Sequence, residues 1–326
     1  MNWRTMVIGI CLAAGTAAVG MSGTAQAAET VPSKTLEVEL TRAKVDSIPD
    51  VVYAQVPSRG YQNILLQMDV LKPQKKEKMP AVVYITGGGF INANRANASQ
   101  ERMRLAEEGY VVASINYRVA PTARFPEPLQ DVKAAIRYLK AHAEKFQIDP
   151  ERIGVMGGSA GGYLSAMAGT TSGTTEFDQG DNLDVPSSVK CAVDLYGLSD
   201  LTKVGDDYSP EVQQKHKSAG ATEALWVNGS SVFGGTDGGI LADPAAAAKA
   251  NPISYISADS APMLLMHGTA DTVVSPSQTD LLYQALRQKG IAAERYVVKD
   301  AAHGGVYWVQ QPVMDIIVAF FDRYLK

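Results

Sequence analysis

The segment RIGVMGGSAGG, residues 152–162, decides the fold of this chain. Its first five residues form a short apolar run of the kind found in buried strands, and residues 163–169 follow with a helical pattern. Between them stands a Gly-x-Ser-x-Gly motif centred on Ser159. In the context of strand, tight turn and helix, this motif is a nucleophile elbow, which exposes the serine hydroxyl above a sheet. The flanking elements disfavour the alternative, a glycine-rich turn with an incidental serine.

Short apolar runs alternate with longer helical patterns along the rest of the chain. The runs predict strands at 81–85, 111–115, 152–156, 191–195, 263–266 and 293–298, and the patterns predict helices at 100–108, 129–146, 278–289 and 312–324. Continuous apolar runs are typical of strands that are buried on both faces. The sequence therefore predicts an α/β fold, with a mostly parallel twisted sheet and helices on both of its faces.

Two further stretches depart from this alternation. Residues 51–55 and 64–71 alternate between apolar and polar side chains, which predicts an antiparallel hairpin at the edge of the sheet. Residues 198–257 are rich in Gly, Ser and Asp, and we interpret them as an inserted lid segment. With residues 28–50 as a polar N-terminal arm, the chain is expected to form one catalytic domain over residues 51–326.

The predicted helix at 129–146 shows an amphipathic pattern. Val132, Ile136 and Leu139 fall on one side of it, while Lys133 and Arg137 fall elsewhere. The apolar side is expected to pack on the sheet.

The first 27 residues have the layout of a secretory signal. Arg4 precedes an apolar run at 6–19, and small residues lead to a predicted cleavage site after Ala27. An uncleaved membrane anchor is the alternative, but the run is shorter than the roughly 20 residues that a span needs. We therefore expect a secreted or periplasmic protein without a stable membrane anchor.

Composition excludes several classes of protein. The chain has 326 residues, 46% of them hydrophobic, which argues against disorder, and its net charge of −4 argues against nucleic-acid binding. Two cysteines cannot build a disulfide scaffold, and Cys191 is expected to be a buried thiol because it lies in an apolar run. No metal-binding or nucleotide-binding motif occurs, so no metal or cofactor is expected.

A serine nucleophile needs a base, and the chain offers four histidines. His303 lies in a loop after the predicted strand at 293–298, where open α/β sheets place their sites. His142 lies on a polar helix surface, His216 in the insertion, and His267 at the end of a strand, where a structural role is expected. We therefore identify His303 as the candidate base.

The acid that orients this base is expected in a neighbouring loop. Asp271 follows the strand at 263–266, whereas Asp300, the alternative, belongs to the end of the strand before His303. We favour Asp271 because Ser159, Asp271 and His303 then follow the chain order found in nucleophile-elbow enzymes.

The stretch TGGGF at 86–90 follows the first parallel strand and can expose backbone amides to an oxyanion. We predict an oxyanion hole from the amides of Gly88, Gly89 and Ala160. A phosphate-binding loop is the alternative, but the required glycine spacing is absent. Candidate substrate-binding walls are aromatic side chains near these loops, with packing in the core as the alternative for each: Phe90, Tyr307, Trp308 and, from the insertion, Trp226.

Six motifs follow one another along the chain: GGGF at 87–90, YRVAP at 117–121, DPERI at 149–153, GGSAGG at 157–162, HGTAD at 267–271 and AHGG at 302–305. From residue 51 to residue 324 the chain thereby resembles the esterase/lipase branch of the α/β-hydrolase superfamily, the hormone-sensitive-lipase-like and feruloyl-esterase-like carboxylesterases. The resemblance implies an α/β-hydrolase fold and a Ser159–Asp271–His303 triad without a cofactor. One departure concerns Thr86, because the family usually has histidine before the three glycines.

The leading functional hypothesis is a serine carboxylesterase that acts on a small-molecule or carbohydrate ester, such as an acetyl, feruloyl or short-chain acyl ester. A serine exopeptidase of the prolyl-oligopeptidase type shares the triad order, but no repeated β-rich segment precedes the core. A non-catalytic binding module on the same fold is the third hypothesis.

Overall fold

The computed structural model describes residues 33–326, so the predicted signal peptide at 1–27 lies outside the described residues. Residues 33–44 contain no helix or strand. The first strand begins at Val45, which corrects the predicted end of the arm at residue 50. The correction has a simple cause, because Val45 to Ile48 pair with the far end of the next strand and extend the predicted hairpin.

One sheet of eight strands forms the centre of the molecule, in the order β1-β2-β4-β3-β5-β6-β7-β8. Strand β1 is antiparallel to β2, β2 is antiparallel to β4, and all other neighbours are parallel. This confirms the predicted mostly parallel sheet with an antiparallel hairpin at its edge. The strands are β1 Val45–Ser58, β2 Tyr61–Pro73, β3 Met79–Ile85, β4 Val111–Ile115, β5 Ile148–Gly158, β6 Ala192–Leu195, β7 Met263–Gly268 and β8 Ala293–Val298.

Helices cover both faces of this sheet. They are α1 Ser99–Glu107, α2 Glu127–Ala141, α3 Ala143–Phe146, α4 Ala160–Thr170, α5 Pro210–His216, α6 Thr222–Asn228, α7 Pro244–Lys249, α8 Ser277–Gln288 and α9 Gln311–Leu325. Helices α2, α4 and α8 share one apolar core with one face of the sheet, and α1 and α9 share a second core with the other. Within residues 33–326, no helix is long and apolar enough to cross a membrane.

The helix predicted at 129–146 divides into α2 and α3, and two of its cationic side chains, Lys133 and Arg137, are buried. The ammonium group of Lys133 donates hydrogen bonds to the carbonyl oxygen of Thr171 and the hydroxyl of Ser187, both at 3.0 Å. Arg137 Nη1 lies 3.2 Å from Asp178 Oδ1. The loop between α4 and β6 thus supplies hydrogen-bonding or acidic partners to both cations. Such partners offset the free-energy cost of burying a charge.

The insertion predicted at 198–257 contains α5, α6, α7 and two short 3-10 turns. Trp226 of α6 is buried, stacks at 4.4 Å between ring centroids on Phe90, and donates its indole N–H to Tyr163 Oη at 3.2 Å. The insertion is therefore packed against the glycine loop after β3. The loops that follow β3, β5, β7 and β8 all leave the carboxyl edge of the sheet, where parallel strands bring them together.

Candidate active site

Ser159 occupies the sharp turn between β5 and α4. Its backbone has φ 57° and ψ −124°, a strained conformation for a residue with a side chain, and its amide donates to the carbonyl oxygen of Leu195 at 2.9 Å. Helix α4 begins at the next residue, Ala160. The positive end of the helix dipole therefore lies beside the serine hydroxyl, where it would stabilise developing negative charge.

The turn depends on a close approach of helix α4 to strand β3. A Cβ atom on Gly161 would lie 1.9 Å from the carbonyl oxygen of Ile85. Because the Ile85 carbonyl belongs to the backbone of a buried strand, it has little room to move away from the added methyl group. We therefore expect Gly161→Ala to lower the free energy of unfolding by about 3 kcal/mol or more, measured by urea denaturation. Gly220→Ala is the control, since nothing lies within 4 Å of its added methyl group. Equal stability of the two variants would contradict this prediction.

His303, in the loop after β8, connects the serine to a carboxylate. Its Nε2 lies 2.8 Å from Ser159 Oγ, and its Nδ1 lies 2.7 Å from Asp271 Oδ2. Since a carboxylate only accepts, Nδ1 carries the hydrogen and Nε2 is free to accept the serine proton. The structure thus brings together the three residues selected from the sequence.

Asp271, in the loop after β7, is held by four hydrogen bonds. Its Oδ1 accepts from the amides of Val273 at 2.8 Å and Val274 at 3.0 Å, and its Oδ2 accepts from His303 and from His267 Nε2 at 3.1 Å. Burial by itself would raise the pKa of Asp271, but the hydrogen bonds from both histidines and from Val273 outweigh it and hold the pKa well below the usual range. The carboxylate is therefore ionised at neutral pH.

The remaining histidines and the alternative acid lie elsewhere. His267 is buried and contacts the Asp271 carboxylate, which agrees with the structural role expected for this histidine. His142 contacts the carbonyl oxygen of Tyr138, and His216 pairs with Glu223 at 2.6 Å. Asp300 is exposed. The thiol of Cys191 is buried, as predicted.

The glycine loop after β3 lies directly against the elbow. A Cβ atom on Gly87 would be 2.5 Å from the carbonyl oxygen of Gly158, so only glycine permits this approach. Within residues 33–326, the amides of Gly88, Gly89 and Ala160 donate to no protein acceptor, which leaves them free for a substrate oxygen. The Thr86 carbonyl oxygen accepts from Tyr117 Oη at 2.8 Å, while the Thr86 hydroxyl is buried without a hydrogen-bond partner among the described residues.

A cleft of about 420 Å³ opens at Ser159 and His303. Its wall differs from the one predicted. Phe90 and Trp308 are buried in the cores and, like the half-exposed Tyr307, do not line the cleft. The three aromatic side chains proposed from the sequence as substrate-binding walls thus lie outside the cleft lining. Phe90 instead packs on Trp226, and Trp308 donates to the Ala302 carbonyl oxygen at 3.0 Å. The lining residues are Tyr84, Thr86, Gly87, Gly88, Gly89, Asn97, Ala98, Glu101, Gly158, Ser159, Tyr196, Val273, His303 and Gly304.

The insertion at 198–257 contributes none of these lining residues. It supports the site from behind, through Trp226 on Phe90 and through Tyr208, whose hydroxyl donates to the Asp271 backbone carbonyl at 3.1 Å. In this conformation the segment therefore braces the site and leaves the cleft open, which differs from the lid expected from its composition.

Sequence reasoning missed Tyr196, which follows β6. Its ring packs edge-on against His303, with 4.9 Å between centroids, and against Trp308 at 4.5 Å. Tyr196 thus limits the positions open to the imidazole. The signal that could have found it is its place directly after a predicted strand at 191–195, at the same edge as the other site loops.

Asp194 supports the turn that carries Tyr196. Its Oδ1 accepts from the Gly197 amide at 2.8 Å, while Oδ2 is buried without a partner among residues 33–326. Burial raises the pKa of Asp194 to about 7, and the Gly197 amide offsets only part of this effect.

This pKa predicts a pH-dependent stability. An unfolded aspartate titrates near pH 4, so between about pH 4 and pH 7 the folded state holds a proton that the unfolded state releases. Stability from this group is therefore lost as the pH rises through that window, by up to about 4 kcal/mol. Asp194→Asn is expected to flatten this slope in urea denaturation at pH 5 and pH 8. An unchanged difference between the two pH values would contradict the prediction.

Comparison with known proteins gives three kinds of match. The family model named BD-FAE matches residues 68–286. The probable carboxylic ester hydrolase LipM of Mycobacterium tuberculosis (strain ATCC 25618 / H37Rv) is 30% identical over 220 residues, 66% of this chain and 47% of LipM. Esterase LipC of the same organism is 30% identical over 256 residues, 78% of this chain and 59% of LipC. The chain thus spans about half the length of the curated relatives it matches.

A solved structure shows the same architecture over almost its whole length. The truncated form of a carbohydrate esterase from gut microbiota superposes with a TM-score of 0.72 and 29% sequence identity, covering 86% of this chain and 96% of that one. The predicted α/β-hydrolase fold is confirmed by this match together with the observed sheet.

Proposed function

Because this chain belongs to the BD-FAE family of α/β-hydrolase esterases, we propose that it is a serine carboxylesterase. One observation carries the proposal: His303 lies 2.8 Å from Ser159 Oγ through one ring nitrogen and 2.7 Å from Asp271 through the other. A hydroxyl, an imidazole and a buried carboxylate in this order can deprotonate the serine as it attacks an acyl carbon.

The proposed reaction has two halves. Ser159 Oγ bonds to the ester carbonyl carbon while His303 Nε2 takes its proton, and the carbonyl oxygen becomes an oxyanion beside the Gly88, Gly89 and Ala160 amides. His303 then protonates the departing alcohol, and the C–O bond to it breaks. Water next adds to the acyl-enzyme with His303 as base, releasing the acid and restoring the serine hydroxyl. Asp271 holds the tautomer and stabilises the imidazolium in both halves.

The substrates we propose are short-chain acyl esters and acetyl or feruloyl esters of carbohydrates. The cleft has a volume of about 420 Å³, and its wall includes the polar side chain of Asn97. The similarity to a solved carbohydrate esterase supports a hydroxyl-rich alcohol.

A panel of purified substrates tests this proposal. We expect hydrolysis of p-nitrophenyl acetate to exceed that of long-chain p-nitrophenyl esters, with release of acetate from acetyl-xylan or of ferulate from methyl ferulate. A fluorophosphonate probe should label Ser159. Faster cleavage of an aminoacyl p-nitroanilide would favour the exopeptidase, and failure of both hydrolysis and labelling would favour a binding module.

We also propose that residues 1–27 direct the protein out of the cytoplasm and are removed after Ala27. The apolar run and the small residues before Ala27 support this. N-terminal sequencing of the protein from culture medium or periplasm should begin at Ala28. An N-terminus at Met1 in the exported protein would overturn the proposal.

A further inference from the structure

Glu101 is an acidic residue in the wall of the cleft. It is the third residue of α1, is partly buried, and lines the same cleft as Ser159. Within residues 33–326, no lysine or arginine nitrogen lies within 4 Å of its carboxylate. The adjacent guanidinium of Arg102 is turned to the backbone, where it donates to the carbonyl oxygens of Ala96 at 2.7 Å and Ala98 at 3.4 Å.

Two tyrosine side chains share this cleft wall with Glu101. Tyr84 and Tyr196 are both cleft-lining, and the negative charge of Glu101 adds to burial in raising the pKa of both hydroxyls. Glu101 and both tyrosines thus belong to the wall of one cleft. Tyr196 also packs against His303, so this group of side chains adjoins the reacting atoms.

The charge of the cleft wall has one sign. None of the fourteen lining residues is lysine or arginine, and Glu101 is the one carboxylate among them. Burial raises the pKa of Glu101, and the hydrogen bond from its own backbone amide and the nearby charge of Arg102 offset only part of this effect. An ionised carboxylate in a cleft with restricted water attracts a cation more strongly than one in open solvent.

We propose that Glu101, Tyr84 and Tyr196 form a subsite for the positively charged group of an ester substrate, a quaternary or protonated amine. Carboxylate and phenol rings are the two protein groups that bind such cations, through charge attraction and through cation–π contact. The inference rests on the proposed esterase function and adds a charge preference to it. A neutral hydroxyl-rich alcohol is the competing occupant, which Glu101 would bind as a hydrogen-bond acceptor.

The test compares two acetates of nearly equal shape. Acetylcholine carries a trimethylammonium group where 3,3-dimethylbutyl acetate carries a tert-butyl group. We expect Glu101→Gln to lower kcat/KM for acetylcholine about tenfold and to change kcat/KM for the neutral acetate less than twofold. The readout is the ratio of kcat/KM for acetylcholine to kcat/KM for the neutral acetate. Comparing this ratio between the wild type and the variant cancels the different reactivities of the two esters. The effect should shrink in 0.5 M NaCl.

Glu107→Gln is the matched control, since Glu107 lies on the same helix outside the cleft and pairs with Arg42. It should leave the ratio unchanged. An unchanged ratio in Glu101→Gln, with the neutral acetate still hydrolysed, overturns the subsite. Equal losses for both acetates, or a selective loss for acetylated xylose, would assign Glu101 to hydroxyl binding and also overturn it.

A binding measurement separates this inference from the proposed function. Calorimetric titration of the full chain carrying Ser159→Ala should detect choline, and 3,3-dimethylbutanol should bind about tenfold more weakly. Adding Glu101→Gln should remove this difference. If neither acetate is hydrolysed yet choline binds selectively, the esterase proposal fails while the cation subsite stands. Absence of selective binding overturns the subsite whatever the activity.

Discussion

Ser159→Ala is expected to lower kcat for ester hydrolysis by about ten-thousand-fold or more, and His303→Ala by a similar factor. The hydroxyl is the atom that bonds to the acyl group, and the imidazole at 2.8 Å is the one base within reach among the described residues. Because the two act in one step, the double variant should lose hardly more activity than either single variant. The measurement is single-turnover and steady-state hydrolysis of p-nitrophenyl acetate.

Neither change should unfold the protein. The Ser159 hydroxyl contacts His303, and the strain of the elbow lies in the backbone, which alanine also adopts at the same cost. Ser165→Ala is the control for the first variant, because this buried hydroxyl of α4 bonds only the carbonyl oxygen of Gly161. Melting temperatures within a few degrees of wild type are expected for all variants. Substantial activity in Ser159→Ala would rule out an acyl-serine.

The sequence sufficed for the fold and for the selection of Ser159, Asp271 and His303 as candidate site residues, because both depend on local patterns. A short apolar run such as 152–156 is typical of a central strand buried on both faces, and the residue after each such strand falls at one edge of the sheet. Ser159, Asp271 and His303 each follow a strand in this way. Their distances then follow from the pairing of β5, β6, β7 and β8.

What the sequence did not reveal depends on contacts between distant segments. Lys133 and Arg137 are charged residues on a helix surface until the loop at 171–191 supplies their partners. Glu101 likewise looks like an ordinary polar residue of α1, and only the packing of that helix against β2 and β4 places it at the cleft. Phe90 follows a strand as the site residues do, but its backbone, at φ 67°, leads the ring into the core.

The second large effect is expected from Asp271→Asn, which should lower kcat about ten-thousand-fold. The direction follows from the hydrogen bonds of the carboxylate. The oxygen that accepts from the Val273 and Val274 amides must remain an oxygen, because an amide group there would face two donors. The new NH₂ group must therefore take the position of Oδ2, facing His303.

With a donor at that position, His303 Nδ1 is forced to accept and its hydrogen moves to Nε2, where it faces the Ser159 hydroxyl. An imidazole in this tautomer cannot take the serine proton. Asp300→Asn is the control, because that side chain is exposed and should retain nearly full activity. Hydrolysis of p-nitrophenyl acetate measures the activity of both variants, and the opposite ranking would assign the orienting acid to Asp300.

Asp271→Asn is also expected to lower stability, because the N–H of His267 Nε2 would then face the new NH₂ group, which is another donor. The melting temperature measures this effect. A purely catalytic role for Asp271 would leave it unchanged.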